Sequence, residues 1–91
     1  MRIVSLPDVT PNGTAVALAA VGIKAVWVAV SCSGTTGRIG DSGAGASEGL
    51  VLAQNAKVEL PRCDFAQGQY DLGEVFVYAT GADKVSILYG K

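Results

Sequence analysis

Lys24-Ala25-Val26-Trp27-Val28-Ala29-Val30-Ser31-Cys32 is the stretch that decides the fold. It is the clearest strand in the chain. Alternation sends Val26, Val28 and Val30 to one face and Ala25, Trp27 and Ala29 to the other. Both faces are apolar, which predicts a central strand covered on both sides. The expected covers are a second sheet of the same chain on one side and, as one option for the other, a neighbouring subunit.

Outward from this strand the segments are short and the turn signals frequent. Twelve glycines and three prolines punctuate 91 residues, the pattern of an all-β domain. Strands are expected at Arg2–Leu6, Thr14–Leu18, Thr36–Asp41, Leu50–Leu52, Lys57–Leu60, Glu74–Ala79 and Lys84–Tyr89. Pro7-Asp8 and Pro11-Asn12-Gly13 make a turn-rich connection, and Ala53–Ala56 turns around Asn55. Glu74–Ala79 and Lys84–Tyr89, joined by Thr80-Gly81-Ala82-Asp83, give the strongest hairpin signal. Ala15–Val21 is rich in alanine and is the one helical candidate, but it is short and runs into Gly22. The expected fold is one all-β domain over residues 1–91, an antiparallel β-sandwich of seven or eight short strands, jelly-roll-like. Residues 1–10 read either as a strand of that fold or as an N-terminal arm on a neighbour.

Composition excludes several functions. Seven basic and eight acidic residues are scattered, with net charge −1, so no basic patch exists to neutralise phosphates and nucleic acid is not an expected partner. No apolar leader follows Met1-Arg2. Thr14–Cys32 is long enough to span a bilayer, but Lys24 near its centre would cost about 2.5–3.5 kcal/mol there, and Gly22 interrupts it. Two strands and a turn account for it better, and no membrane partner is expected. Without export, Cys32 and Cys63 read as partly buried thiols, and a disulfide requires the fold to bring them together.

Few motifs suggest chemistry. Gly40-Asp41-Ser42-Gly43 spells the tetrapeptide around the nucleophile of trypsin-like proteases, but the chain has no histidine, so no imidazole takes the serine proton. A glycine-rich turn explains it. Gly34, Gly37 and Gly40, three apart, lack the helix and Gly-Lys-Ser/Thr ending of a phosphate loop. Asn12-Gly13-Thr14 is a formal glycosylation acceptor and also a favoured turn. Asp41, Glu48 and Asp83 are scattered carboxylates that a fold could gather around Ca²⁺, without EF-hand spacing. No catalytic set, metal site or cofactor is therefore expected. Trp27, Phe76, Tyr78 and Tyr89 lie in expected strands, where packing in the core is the ordinary role. Trp27, Tyr78, Tyr89 and Phe65 are also the candidate interface residues, since aromatics anchor subunit contacts.

Two stretches carry a resemblance. The first is Thr36-Gly37-Arg38-Ile39-Gly40-Asp41-Ser42, followed by Gly49-Leu50-Val51-Leu52 and Lys57-Val58-Glu59-Leu60-Pro61. The second runs from Tyr70-Asp71-Leu72-Gly73 through Glu74–Ala79 and Thr80–Asp83 to Lys84–Tyr89. This order of strands and turns resembles small β-sandwich virion accessory proteins of tailed phages, found as capsid decoration (cement) proteins, head-fibre modules and tail parts. The likeness covers residues 14–89 and has no invariant functional signature. It implies a non-catalytic protein of the virion, assembled in the host cytoplasm. The implied partners are the major capsid protein or other virion proteins, and the implied state is a homo-oligomer, a trimer above others. Residues 63–69 depart from the pattern as an insert, read as a lattice- or host-facing loop or as a tolerated surface insertion. The alternatives on the particle are an adhesion module that binds a host receptor or glycan, and a tail or connector component.

Overall fold

The computed structural model describes residues 2–60 and 70–91. Their regular structure is all β, in ten short strands. In chain order these are β1 (Ile3–Val9), β2 (Val16–Ala17), β3 (Lys24–Ala25), β4 (Trp27–Cys32), β5 (Arg38–Gly40), β6 (Leu50–Val51), β7 (Lys57–Leu60), β8 (Tyr70–Asp71), β9 (Phe76–Tyr78) and β10 (Val85–Gly90). One antiparallel sheet has the order β1-β10-β4-β7, a second β2-β9-β5-β6, and β3 pairs with β8.

The first sheet follows from period-two alternation. Val4, Tyr89, Val28 and Leu60 stand opposite one another across its four strands, as do Leu6, Ile87, Val30 and Val58. Both rows face inward, and Val28, Val30, Ile87 and Tyr89 are buried. Ile39 and Val77, register partners in the second sheet, join the same buried cluster with Ala25, Leu52 and Leu72. The two sheets thus share one core. At 25 cal/mol per Å², each fully buried Val or Leu in it contributes about 1.5–3 kcal/mol before the entropy of ordering is subtracted.

The expectation of seven or eight strands falls short of the ten observed, because the deciding stretch breaks into β3 and β4 and because β8 forms at Tyr70–Asp71, outside the expected strands. Val26 lies between β3 and β4, and its N–H donates to the Gly90 carbonyl (2.8 Å). The break carries Ala25 into the core with no exposure, whereas unbroken alternation would have left it on the outer face beside Trp27. Val28, Val30 and Ala29 are all buried, so both faces of β4 are covered to that extent, as a central strand requires.

The expected hairpin between residues 74 and 89 is absent. Its turn forms, with Asp83 N–H donating to the Thr80 carbonyl (3.3 Å) and Gly81 at φ 62°. The strands it joins lie in different sheets. Gly13 N–H holds the Ala79 carbonyl (2.7 Å) at the end of β9. At the start of β10, Ser33 N–H donates to the Lys84 carbonyl (2.9 Å) and Lys84 N–H to Ser33 Oγ (2.9 Å). These long-range bonds lead the two strands to opposite sides of the core.

The N-terminal segment forms a strand of its own chain's sheet, with β1 pairing along β10 from Ile3↔Gly90 to Val9↔Val85. Around Pro7 and Asp8 its register shifts, as suits a proline on an edge strand. Ala15–Val21 contains β2 rather than a helix. The span-length stretch Thr14–Cys32 contains β2, β3 and β4, each in a different sheet, and among the described residues no helix is long and apolar enough to cross a membrane.

Candidate interaction surfaces

The outer face of the first sheet is the complement of its inner rows. Ser5, Leu88, Ala29 and Glu59 form one outward row. Ile3, Gly90 and Trp27 form the next, and Ser86, Ser31 and Lys57 a third. The middle of this face carries no charge. Its side chains are small except for Leu88 (41% exposed), Ile3 (52% exposed) and the half-buried Trp27. Small side chains beside Leu88 leave a groove of about 390 Å³ lined by Ser5, Ala29, Ser31, Ser86 and Leu88, with Asp8 and Lys57 at its rim. Lys57 pairs with Glu59 at 3.2 Å on the β7 edge, both exposed, so the pair adds little to stability.

The edges of both sheets are poor templates for strand addition. β1 has Pro7 and a register shift, β7 alternates charge, and β2 and β6 are two residues long. Natural proteins blunt edges by these means, which leaves faces and loops for contact.

The expected interface aromatics separate. Trp27 reaches the outer face of the first sheet. Tyr78 is half-buried on the second, directly across from Arg38. Tyr89 is 5% exposed and belongs to the core, because it shares an inward row with Val4 and Val28, so it offers almost nothing to a partner. Phe65 lies outside the described residues. Phe76, read only as a packing residue, is half-buried.

The motif that looked catalytic is a turn. Asp41 Oδ1 accepts from Gly43 N–H (2.8 Å), and Ala44 N–H donates to the Asp41 carbonyl (3.0 Å). The spaced glycines have packing reasons. A Cβ at Gly37 would lie 2.7 Å from Cys32 Sγ, and one at Gly34 would overlap the Asp83 carboxylate. Asp83 accepts from Thr36 Oγ1 (3.2 Å). Among the described residues no three His, Cys, Asp or Glu side chains gather as metal ligands do. Cys32 is a buried free thiol, and Cys63 lies outside the described residues. Pro11 to Thr14 is a tight turn with Asn12 and Gly13 both at positive φ (51° and 88°), the mirror-image type that Asn-Gly favours.

Two clusters escaped the sequence reading. Asp71 accepts from Gly73 N–H (2.9 Å), Gly22 N–H (3.1 Å) and Lys24 Nζ (3.1 Å). Its side chain is only 10% exposed, and the Gly73 and Gly22 amides, with the Lys24 ammonium, hold its carboxyl below the usual carboxylate range. The Asp-x-Gly spacing of Asp71-Leu72-Gly73 is the signal that could have revealed it, since such aspartates bond their own backbone two residues on. The second cluster is a cleft on the outer face of the second sheet, at Arg38 and Tyr78.

No protein family, curated protein or solved structure matches the chain.

Proposed function

We propose that this chain is a structural protein of a phage virion, a capsid decoration (cement) subunit that binds the assembled shell and stabilises it. Strand order carries the reading. With the two-residue strands β3 and β8 set aside, the remaining eight have the orders 1-8-3-6 and 2-7-4-5 when renumbered along the chain. We read this as a double-sheet jelly roll, an architecture shared by viral capsid and lectin domains. That step is an analogy of fold, and the outer face of the first sheet gives it a physical means of contact.

That face measures about 20 by 20 Å, from four strands at roughly 4.8 Å spacing and six residues at about 3.3 Å rise. About 400 Å² is half of what one partner contributes to a stable pairwise complex. One such contact is weak. Three faces linked in a homo-trimer, set on a repeating lattice of major capsid protein, gain affinity through effective concentration. Because only the assembled lattice offers all the contacts at once, binding favours assembly over dissociated capsomers. The role needs no catalysis and no cofactor.

Heating particles with and without the protein tests this. Bound protein is expected to raise the temperature at which the shell releases its genome. Equal release temperatures would overturn the cementing role. The second reading is an adhesion module on a head fibre or tail, and the cleft at Arg38 favours it.

A further inference from the structure

We propose that the cleft on the outer face of the second sheet binds a carboxylated sugar residue. The inference rests on the geometry of this sheet alone and does not depend on where, or whether, the chain sits on a particle. Ile39 is buried, so its neighbour Arg38 projects outward from β5. Arg38 stands between Tyr78 on β9 and Val51 on β6, its direct register partners. With Thr35, Thr36 and Thr80 these side chains line a cleft of about 250 Å³. That is below the roughly 300–1,000 Å³ of sites for drug-sized ligands, so the occupant is about one sugar ring.

The polar groups are arranged for a ligand that is anionic at one end and hydroxylated elsewhere. Arg38 donates once, to the Gly49 carbonyl (3.0 Å), which fixes the guanidinium. Among the described residues no carboxylate pairs with it. A guanidinium with donors to spare grips a carboxylate through two parallel bonds. Thr36 Oγ1 accepts from Thr80 N–H (3.0 Å) and Thr80 Oγ1 (3.0 Å), so one wall is held rigid and Thr80 Oγ1 keeps acceptor capacity for a ligand hydroxyl. Tyr78 offers an aromatic ring with a phenol, and Val51, 55% exposed, an apolar flank; a sugar ring likewise has C–H faces and hydroxyl edges.

Other ligands fit less well. A nucleic acid site would need more than one cation. An extended acidic peptide would need a strand edge to pair with, and β6 beside the cleft is two residues long.

The test is an amide-resolved NMR titration of the full chain with methyl glucuronide, methyl glucoside, acetate and a short capped Asp-containing peptide. Methyl glucuronide is expected to shift the Thr36, Arg38, Tyr78 and Thr80 amides saturably, with a Kd around 1 mM for a ligand of this size. Methyl glucoside and the Arg38→Gln variant should each bind at least ~10-fold more weakly, the loss of one charge-assisted pair. Arg38→Lys keeps the charge and loses the fork, so intermediate affinity is expected in a variant whose spectrum reports its own folding. No saturable shift at these four residues would overturn the proposal, and so would acetate or the acidic peptide binding as tightly as the glucuronide.

Discussion

Asp71 sits where β3, β8 and the Gly22 turn meet, and its two oxygens accept from three donors, the nearby Gly73 amide and the sequence-distant Gly22 amide and Lys24 ammonium. Because these donors favour the ionised form, its carboxyl is held below the ordinary carboxylate range. A depressed pKa contributes stability that is fully present above the unfolded value of about 3.9 and is lost as pH falls through the folded value. Asp71→Asn keeps the shape and removes the charge. The variant is expected to melt below the wild type at pH 7, with the gap closing as pH drops below about 4. Thermal melts across pH 2–7 check this, and a gap independent of pH would show that charge has no part in it. Gly73 belongs to the same corner, since a Cβ there would lie 2.4 Å from Val21 Cα.

Elements show how locally legible residues acquire non-local partners. β1 places the partly buried Val4, Leu6 and Val9 against the core, and losing Val4 and Leu6, each worth a fraction of the ~1.5–3 kcal/mol of a fully buried side chain, together with their part of the β1–β10 ladder costs on the order of a few kcal/mol. Total stability is about 5–15 kcal/mol for an ordinary domain and lower for a small one. Deleting residues 2–6, which include Val4 and Leu6, should therefore leave a protein largely unfolded at 37 °C, whereas a removable arm would leave a folded domain. Circular dichroism melts decide between the two.

The strand sites themselves were readable. The alternation of charged and apolar residues marks Lys57–Leu60 to the residue, and the β-branched and aromatic residues concentrated in β4, β9 and β10 mark those strands within or close to their limits. Pairing was not readable. The Thr80–Asp83 turn looks like a hairpin loop, and only bonds from Gly13 and Ser33, 66 and 51 residues away from their partners, send its strands to different sheets. The split at Val26 had no local signal, because Val is a good strand residue on either side of a sheet switch. The cleft was equally hidden. Arg38, Val51 and Tyr78 are far apart in sequence and meet only through the register of β5 with β6 and β9.

At the scale of the whole molecule, β5 and β6 are the only strands consecutive in sequence that pair with each other among those described. Such a topology must close long loops before its contacts form, so folding in milliseconds to seconds is its expected regime. The architecture also divides the surface. The first sheet shows an outer face of mostly small side chains whose middle is uncharged, and the second a polar cleft. The central claim is that the first of these holds the subunit on a shell. Its most direct test is to count copies bound to shells lacking this protein, by quantitative sedimentation of wild type and Leu88→Glu. Leu88 is 41% exposed, so the variant should lose about 1 kcal/mol and still fold, which a circular dichroism melt checks. The account predicts wild-type binding on the order of hundreds of copies per particle, as a repeating lattice allows, and loss of most of that binding in Leu88→Glu. Equal binding by the two proteins, or saturation at about 3 to 12 copies as closed symmetry at a tail or vertex would give, would contradict it.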